Sequence, residues 1–287
     1  MEGEDEESTD EHALNNATVW HRMLVIVMGA VMNILFGIIL MMILLVQQPA
    51  FSSTTIAKFT ENSALQTAGL QVGDKFTSID GYKINGDRDL NFALSLTNPM
   101  NSNIQVMRNG KVLNFDNLKL NTKDMNGKKI LAIDFYVKSI EKNPITLLQK
   151  SVEDTVSTVR MVWFSLVGMV SGKFGVKDVA GPVGAASMIG QAASIGLKQS
   201  FAAALNNIIM MMMLITVNLG VVNLLPFPAL DGGRLFFLLI EAIRRKPINP
   251  QYEGYVHAAG FFLLMGVMVL VTFNDIIRLV TGKGLGG

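Results

Sequence analysis

Asn223-Leu-Leu-Pro-Phe-Pro-Ala-Leu-Asp-Gly-Gly233 closes a run that otherwise reads as a membrane span. The residues before it, from Phe201 to Leu225, carry no charge, and roughly 20 apolar residues are what a helix needs to cross a bilayer core. Pro226 and Pro228 then remove backbone donors and forbid a regular helix. At membrane depth such a break is tolerated only where protein or a water-filled cavity surrounds the chain. Asp231 follows at once, and an ionisable side chain in that position is a candidate functional residue. The plainer alternative is a helix end emerging into water through a polar Asp-Gly turn.

The rest of the composition agrees with a membrane setting. The chain has 287 residues, 50% of them hydrophobic and only 16% charged, which is too apolar for an ordinary soluble protein. With no cysteine there is no disulfide and no thiolate metal site, so His, Asp and Glu are the strong zinc ligands available. The histidines are three: His12, His21 and His257. A net charge of +1 and the lack of a basic, aromatic-studded groove argue against nucleic-acid binding. Seven of the first eleven residues are acidic, so the N-terminus does not read as a signal peptide.

Working outward, residues 1–22 form an acidic leader and residues 23–46 a first membrane helix. Residues 49–142 change to short β-rich runs separated by Asp80-Gly81 and Asn109-Gly110, which are hairpin signals, so a small β-rich domain is expected between spans. Leu90 to Leu96 has helical spacing within it. Residues 145–200 read as amphipathic and interfacial helices plus a glycine-rich segment: Leu148, Val152, Val156 and Val159 share a stripe, and Trp163 suits a membrane interface. A second span with the quoted motif covers 201–233, a segment with Arg234, Arg244, Arg245 and Lys246 covers 234–254, and a third span covers 255–280. Those basic residues, together with Arg22, place their ends of the spans in the cytoplasm and the β-rich domain outside.

Several of these elements resemble one family. Asn223-x-x-Pro-x-Pro-x-Leu-Asp231-Gly-Gly, preceded by Asn218 and Gly220, is similar to the LDG motif of site-2 proteases, the intramembrane zinc metalloproteases, and especially to the bacterial type that processes the anti-sigma-E factor. Gly29-Ala-Val-Met-Asn33 resembles the family's Gly-x-x-x-Asn element. Asn62 to Asp74, followed by Ser78-Ile-Asp-Gly81, resembles the core of a bacterial PDZ domain, and Gly181-Pro-Val-Gly184 and Phe273 to Arg278 also look like family signatures.

The resemblance implies a polytopic α-helical protein of the bacterial inner membrane, with three spans present here and an inserted extracytoplasmic PDZ-like domain. It implies Zn2+ as cofactor and Asp231 as a zinc ligand. Asn33, Asn218, Asn223, Pro226, Pro228 and Gly232 would support the active site or bind substrate, with interhelical packing as the alternative for the asparagines. Ile56, Ala57, Lys58 and Phe59 would line a PDZ peptide groove, and Gly29 would allow close helix approach. The expected partners are single-span membrane proteins and the lipid bilayer, with no nucleic acid. His21 and His257 read as interfacial side chains, and Met210 to Met213 as flexible apolar filling.

One element of the family pattern is missing. The chain has no His-Glu-x-x-His, in which two histidines one turn apart grip zinc and the glutamate activates water. The expectation is an N-terminally truncated copy begun at an internal methionine; the alternative is a pseudo-protease acting as a PDZ-containing membrane receptor. A broken-helix transporter is a third reading, but it predicts inverted repeats that the sequence does not show.

Overall fold

The computed structural model describes residues 17–125, 128–172, 175, 180–246 and 248–281. The acidic residues of the leader and His12 lie outside the described residues. The chain divides into two units, a helical one (Met1–Leu40 with Val162–Gly287) and a sheet-containing one (Met41–Met161).

The first helix, α1, runs over Val19–Leu45 and begins in the helical unit. Thr18 closes its first turn: the Thr18 hydroxyl lies 2.7 Å from His21 Nδ1, and the Thr18 carbonyl accepts from the Arg22 amide at 3.0 Å. His21 thus sits exposed at a helix start, as expected of an interfacial side chain.

The sheet unit continues with β1 (Ala50–Phe59), α2 (Ala64–Thr67), β2 (Lys75–Ile79), β3 (Tyr82–Lys83) and α3 (Asp87–Leu96), then β4 (Ser102–Arg108), β5 (Lys111–Leu118), β6 (Thr122–Met125), β7 (Lys128–Leu131) and β8 (Phe135–Glu141). One antiparallel sheet has the order β5-β4-β2-β1-β8, with β3 paired to β2, and β6 and β7 form a separate hairpin. Both Asp80-Gly81 and Asn109-Gly110 have positive φ at each residue, the geometry of two-residue hairpins whose twist matches the flanking strands. Phe51, Ile56, Phe76, Ile79, Ile104 and Val106 are buried, with irregularities after Ser52 and Phe76 shifting the alternation along β1 and β2, and the Phe76 and Phe135 rings lie tilted with centroids 5.0 Å apart.

An ion pair pins β4 to the loop before β2. Arg108 donates through Nε and Nη2 to the two oxygens of buried Asp74 at 2.6 and 2.7 Å, and Asp74 also accepts from the Gln71 amide at 2.8 Å. Burial alone would raise the Asp74 pKa; the Arg108 fork and the Gln71 amide outweigh it and hold the carboxyl below its ordinary value.

The next helix, α4 (Pro144–Val170), starts in the sheet unit and is inside out. Its polar residues Lys150, Ser151, Asp154, Thr155, Ser157 and Thr158 are buried, whereas the expected apolar stripe of Leu148, Val152 and Val156 is exposed. Ion pairs tie it to α3: Lys150 bonds Asp87, and Arg160 bonds Asp89 at 2.7 Å.

In the helical unit the glycine-rich segment forms a helix, α5 (Pro182–Leu197), followed by α6 (Phe201–Asn223), α7 (Asp231–Arg244) and α8 (Pro250–Val280). The helices α1, α6 and α8 are long and apolar enough to cross a membrane. Gly181 cannot cap α5 with a side chain, and the fully buried Asp275 of α8 does it instead, accepting from the Gly184 amide at 2.7 Å. Close helix approach is made by Gly220 rather than Gly29. A methyl on Gly220 would stand 3.1 Å from the Ala30 carbonyl and 3.2 Å from Asn33 Cβ, whereas one on Gly29 would meet nothing within 4 Å. Gly29 lies on the exposed side of α1, with no neighbour among the described residues. At the other end of the unit, Arg22 of α1 bonds Glu241 of α7 at 2.7 Å.

The Asp74 pair sets an acid limit on the sheet unit. A carboxyl whose folded pKa is depressed adds stability above its unfolded pKa of about 3.9, and loses it as pH falls through the folded value. Arg108→Leu should therefore lower the thermal midpoint near neutral pH and flatten its fall between roughly pH 5 and pH 2. Circular dichroism melts of the detergent-solubilised chain across that range check this.

Candidate functional site

The motif that ends α6 is a built turn. The helix tightens at its last residues, with the Leu224 and Leu225 amides donating to the Val221 and Val222 carbonyls at 3.2 and 3.0 Å. Pro226 and Pro228 then stop it. Phe227-Pro-Ala-Leu230 closes on itself, the Leu230 amide donating to the Phe227 carbonyl at 3.2 Å, with φ of +73° at Ala229. Proline second and positive φ third is the pattern of a type II turn, whose third place favours glycine. Alanine there costs about 1–2 kcal/mol, so neighbours must hold it. The Ala229 amide, which the turn leaves free, donates to His257 Nδ1 of α8 at 3.0 Å.

Leu230 is the N-cap of α7, so Asp231 takes the first helical position, where the unpaired amides and the dipole favour a carboxylate. Gly232 and Gly233 are buried because the preceding loop lies on them: a methyl on Gly232 would fall on the carbonyls of Leu224 and Leu225, and one on Gly233 on that of Phe227. Asp231, half-buried, lines a cavity of about 500 Å³ together with Ala229, Leu230, Arg234, His257, Ala258, Phe261 and Phe262. The helical unit thus brings an acid, a base and a cation to one recess, beside Phe261 and Phe262, at the end of a candidate span.

A catalytic zinc needs three protein ligands and an open position. Asp231 suits one of them. His257 does not supply a second in this arrangement: its Nδ1 accepts from Ala229, so the neutral ring carries its proton on Nε2. That Nε2 is buried without a hydrogen-bond partner and lies 3.8 Å from Glu253. The described residues of the recess therefore fit one arm of a zinc site, not a whole one.

Other expected site residues lie apart from this recess. Asn33 is half-buried where α1 meets Gly220, Asn218 is exposed on α6, Asn223 is half-buried at its last turn, and Pro226 is exposed. Pro228 packs against α8. Met213 of the methionine run is fully buried and Met212 faces outward, consistent with packing. Ile56, Ala57, Lys58 and Phe59 occupy β1, an interior strand bonded to β8 along its length and to β2 at Thr55, with Ile56 fully buried. The open ends of the sheet order are β5 and β8.

Within the sheet unit, sequence reading missed a second polar centre. A cavity of about 410 Å³ is lined by Asp87, Arg88, Asn91, Lys150, Asp154 and apolar neighbours including Phe51. The carboxylates of Asp87, Glu153 and Asp154 approach within 4.8 Å of one another, which is metal-site spacing. The Lys150 ammonium already sits among them, 3.0 Å from Glu153 and 2.7 Å from Asp154. Burial alone would drive the Lys150 proton off, but the Asp154 and Asp87 carboxylates more than offset it and keep the amine charged. Three acids around one buried lysine make a structural lock between α3 and α4. A lysine and an aspartate four residues apart on a helix, facing an Asp87-Arg-Asp89 cluster, was the only signal in the sequence.

Removing one member strands the others. Lys150→Met leaves buried Asp154 with Arg88, 3.5 Å away, as its remaining partner, and should destabilise the unit by up to about 3 kcal/mol, of which Lys150→Met with Asp154→Leu should recover part. Denaturant titration of the sheet unit's fluorescence or exchange signal measures both.

Comparison with known proteins gives the family of the chain. Residues 1–267 match the family model described as Peptidase family M50. A protein named "putative zinc metalloprotease" in Clostridium perfringens is 37% identical over 281 residues, 96% of this chain and 79% of that protein. The regulator of sigma-W protease RasP of Bacillus subtilis is 36% identical over 262 residues, covering 91% of this chain but 60% of its own length. The zinc metalloprotease RasP of Bacillus licheniformis is 35% identical over 272 residues, 92% of this chain and 61% of the relative. The chain thus spans about three fifths of the two RasP proteins. On these grounds the chain belongs to peptidase family M50, the site-2 proteases, and its three long apolar helices fit a multi-pass membrane protein.

Proposed function

We propose that this chain is the zinc-binding and substrate-handling part of an intramembrane metalloprotease that cleaves single-span membrane proteins, such as a membrane-bound anti-sigma factor. The observation that carries the reading is Asp231, set on a broken-helix turn in a recess at the end of a candidate span. The names of the relatives support it: two are RasP proteases, one of them a regulator of sigma-W.

In this proposal Asp231 holds one zinc ligand position. Zinc, when bound, polarises a peptide carbonyl and lowers the pKa of its water to about 7. The chain's own residues do the rest of what is assigned here. The Pro226–Leu230 turn keeps the carboxylate at a fixed height, α7 favours its charge, and Phe261 and Phe262 line the recess. The His-Glu-x-x-His element is not in this sequence, so hydrolysis is proposed for a form of the protein that carries it.

The protein is placed in the bacterial inner membrane with Arg22 and Arg244 to Lys246 on the cytoplasmic side. The Arg22–Glu241 bond supports this by bringing the start of α1 beside α7, at one end of the helical unit. The sheet unit is then the extracytoplasmic PDZ-like domain. The β8 side of Ile56 to Phe59 is already paired, which favours a filter that rejects bulky substrates over strand capture on that side, because an added strand needs an open edge. The exposed stripe of Leu148, Val152 and Val156 supports an interfacial role for α4. A second reading, a non-catalytic membrane receptor, rests on the missing motif.

Asp231→Ala should abolish cleavage of a single-span substrate in a form bearing His-Glu-x-x-His, while membrane insertion and yield stay unchanged. Normal cleavage by that variant would remove the ligand assignment.

A further inference from the structure

The peptide between Pro228 and Ala229 is held by α8 from both sides. Its N–H belongs to Ala229, in a left-handed conformation that glycine adopts freely and alanine does not. That N–H donates to His257 Nδ1 at 3.0 Å. Three residues on, along the same face of α8, Gly260 leaves room for Pro228: a methyl there would stand 2.7 Å from the Pro228 carbonyl oxygen and 2.8 Å from its carbon. The His257 ring is itself set by Phe237 of α7, with centroids 5.6 Å apart.

We infer that His257 is the positioning residue of the aspartate loop: its Nδ1 locks the Pro228–Ala229 peptide in the type II orientation, and so fixes where α7 begins and where Asp231 stands in the recess they both line. Were that peptide to flip, the N–H of half-buried Ala229 would lose its acceptor, which is costly. The turn would also lose the geometry that delivers Leu230 to its capping place. His257 acts through the loop, as an acceptor, and not as a metal ligand. Its value to the enzyme rests on the reading of Asp231 as a ligand, but the geometry itself is measurable without metal.

The test uses the full chain in detergent, free of zinc. In His257→Leu, amide exchange across residues 225–233 should quicken about tenfold or more, while α6 residues 205–220 stay unchanged and report an intact fold. His257→Asn offers an amide oxygen near the place of Nδ1 and should return exchange to within about threefold of the parent. Ala229→Gly in the His257→Leu background should recover part of the loss, because glycine takes the conformation unaided. Since the chain has no cysteine, Asp231→Cys gives a single thiol, and its maleimide labelling rate should shift with His257→Leu but not with His257→Asn. Unchanged exchange in His257→Leu, equal acceleration in the Leu and Asn variants, or acceleration spread through α6 would each overturn the inference. If these effects hold while Asp231→Ala still cleaves substrate, positioning stands and the ligand reading falls. The converse pattern removes His257 and leaves Asp231.

Discussion

Between Leu224 and Leu230 the backbone leaves the helix at the end of a long apolar segment, and the polar groups it frees must be met by protein. Much of the helical unit answers that need. The Phe227 carbonyl takes the Leu230 amide, His257 takes the Ala229 amide, and Gly232 and Gly233 yield space so the loop can fold back on the start of α7. Asp231 owes its position to this chain of contacts. The same logic recurs across the unit, where Asp275 of α8 caps α5 in place of the side chain that Gly181 lacks. In both places α8 supplies a polar side chain to backbone that another segment cannot satisfy itself.

The sheet unit solves a different problem with the opposite pattern. Helix α4 turns its polar face inward and anchors it through Lys150 and Arg160 to acids of α3, while leaving an apolar stripe outside. Buried charge is a poor source of net stability, and of the acids around Lys150 only Asp87 lies on α3; with Arg160–Asp89 and Arg88–Asp154 it makes three charged links between the two helices. An apolar stripe facing outward makes sense beside lipid or another apolar surface.

What sequence reading could recover follows from how local each signal is. The Asp80-Gly81 and Asn109-Gly110 hairpins need only their own two residues, and both formed where expected. The three long apolar helices follow from length and composition, with ends shifted by a few residues because caps such as Thr18 and Asn249 lie outside the apolar runs. The break between α6 and α7 was legible through Pro226 and Pro228. The His257 bond was not, because a lone histidine at a helix end carries no mark of the amide it will meet 28 residues away in sequence. Helix α7 was hidden by its charged ends, and the burial of the polar face of α4 by a rule that normally runs the other way. The pairing of Ile56 to Phe59 with β8 could not be read from the sequence, because strand order is a long-range property.

The central claim is that the turn delivers Asp231 to a zinc ion. Zinc-edge X-ray absorption of a His-Glu-x-x-His-bearing form carrying Asp231→Cys tests it most directly. The account predicts one sulfur scatterer at about 2.3 Å, in place of an oxygen at about 2.0–2.2 Å. A spectrum with only nitrogen and oxygen neighbours, unchanged from the parent, would contradict it.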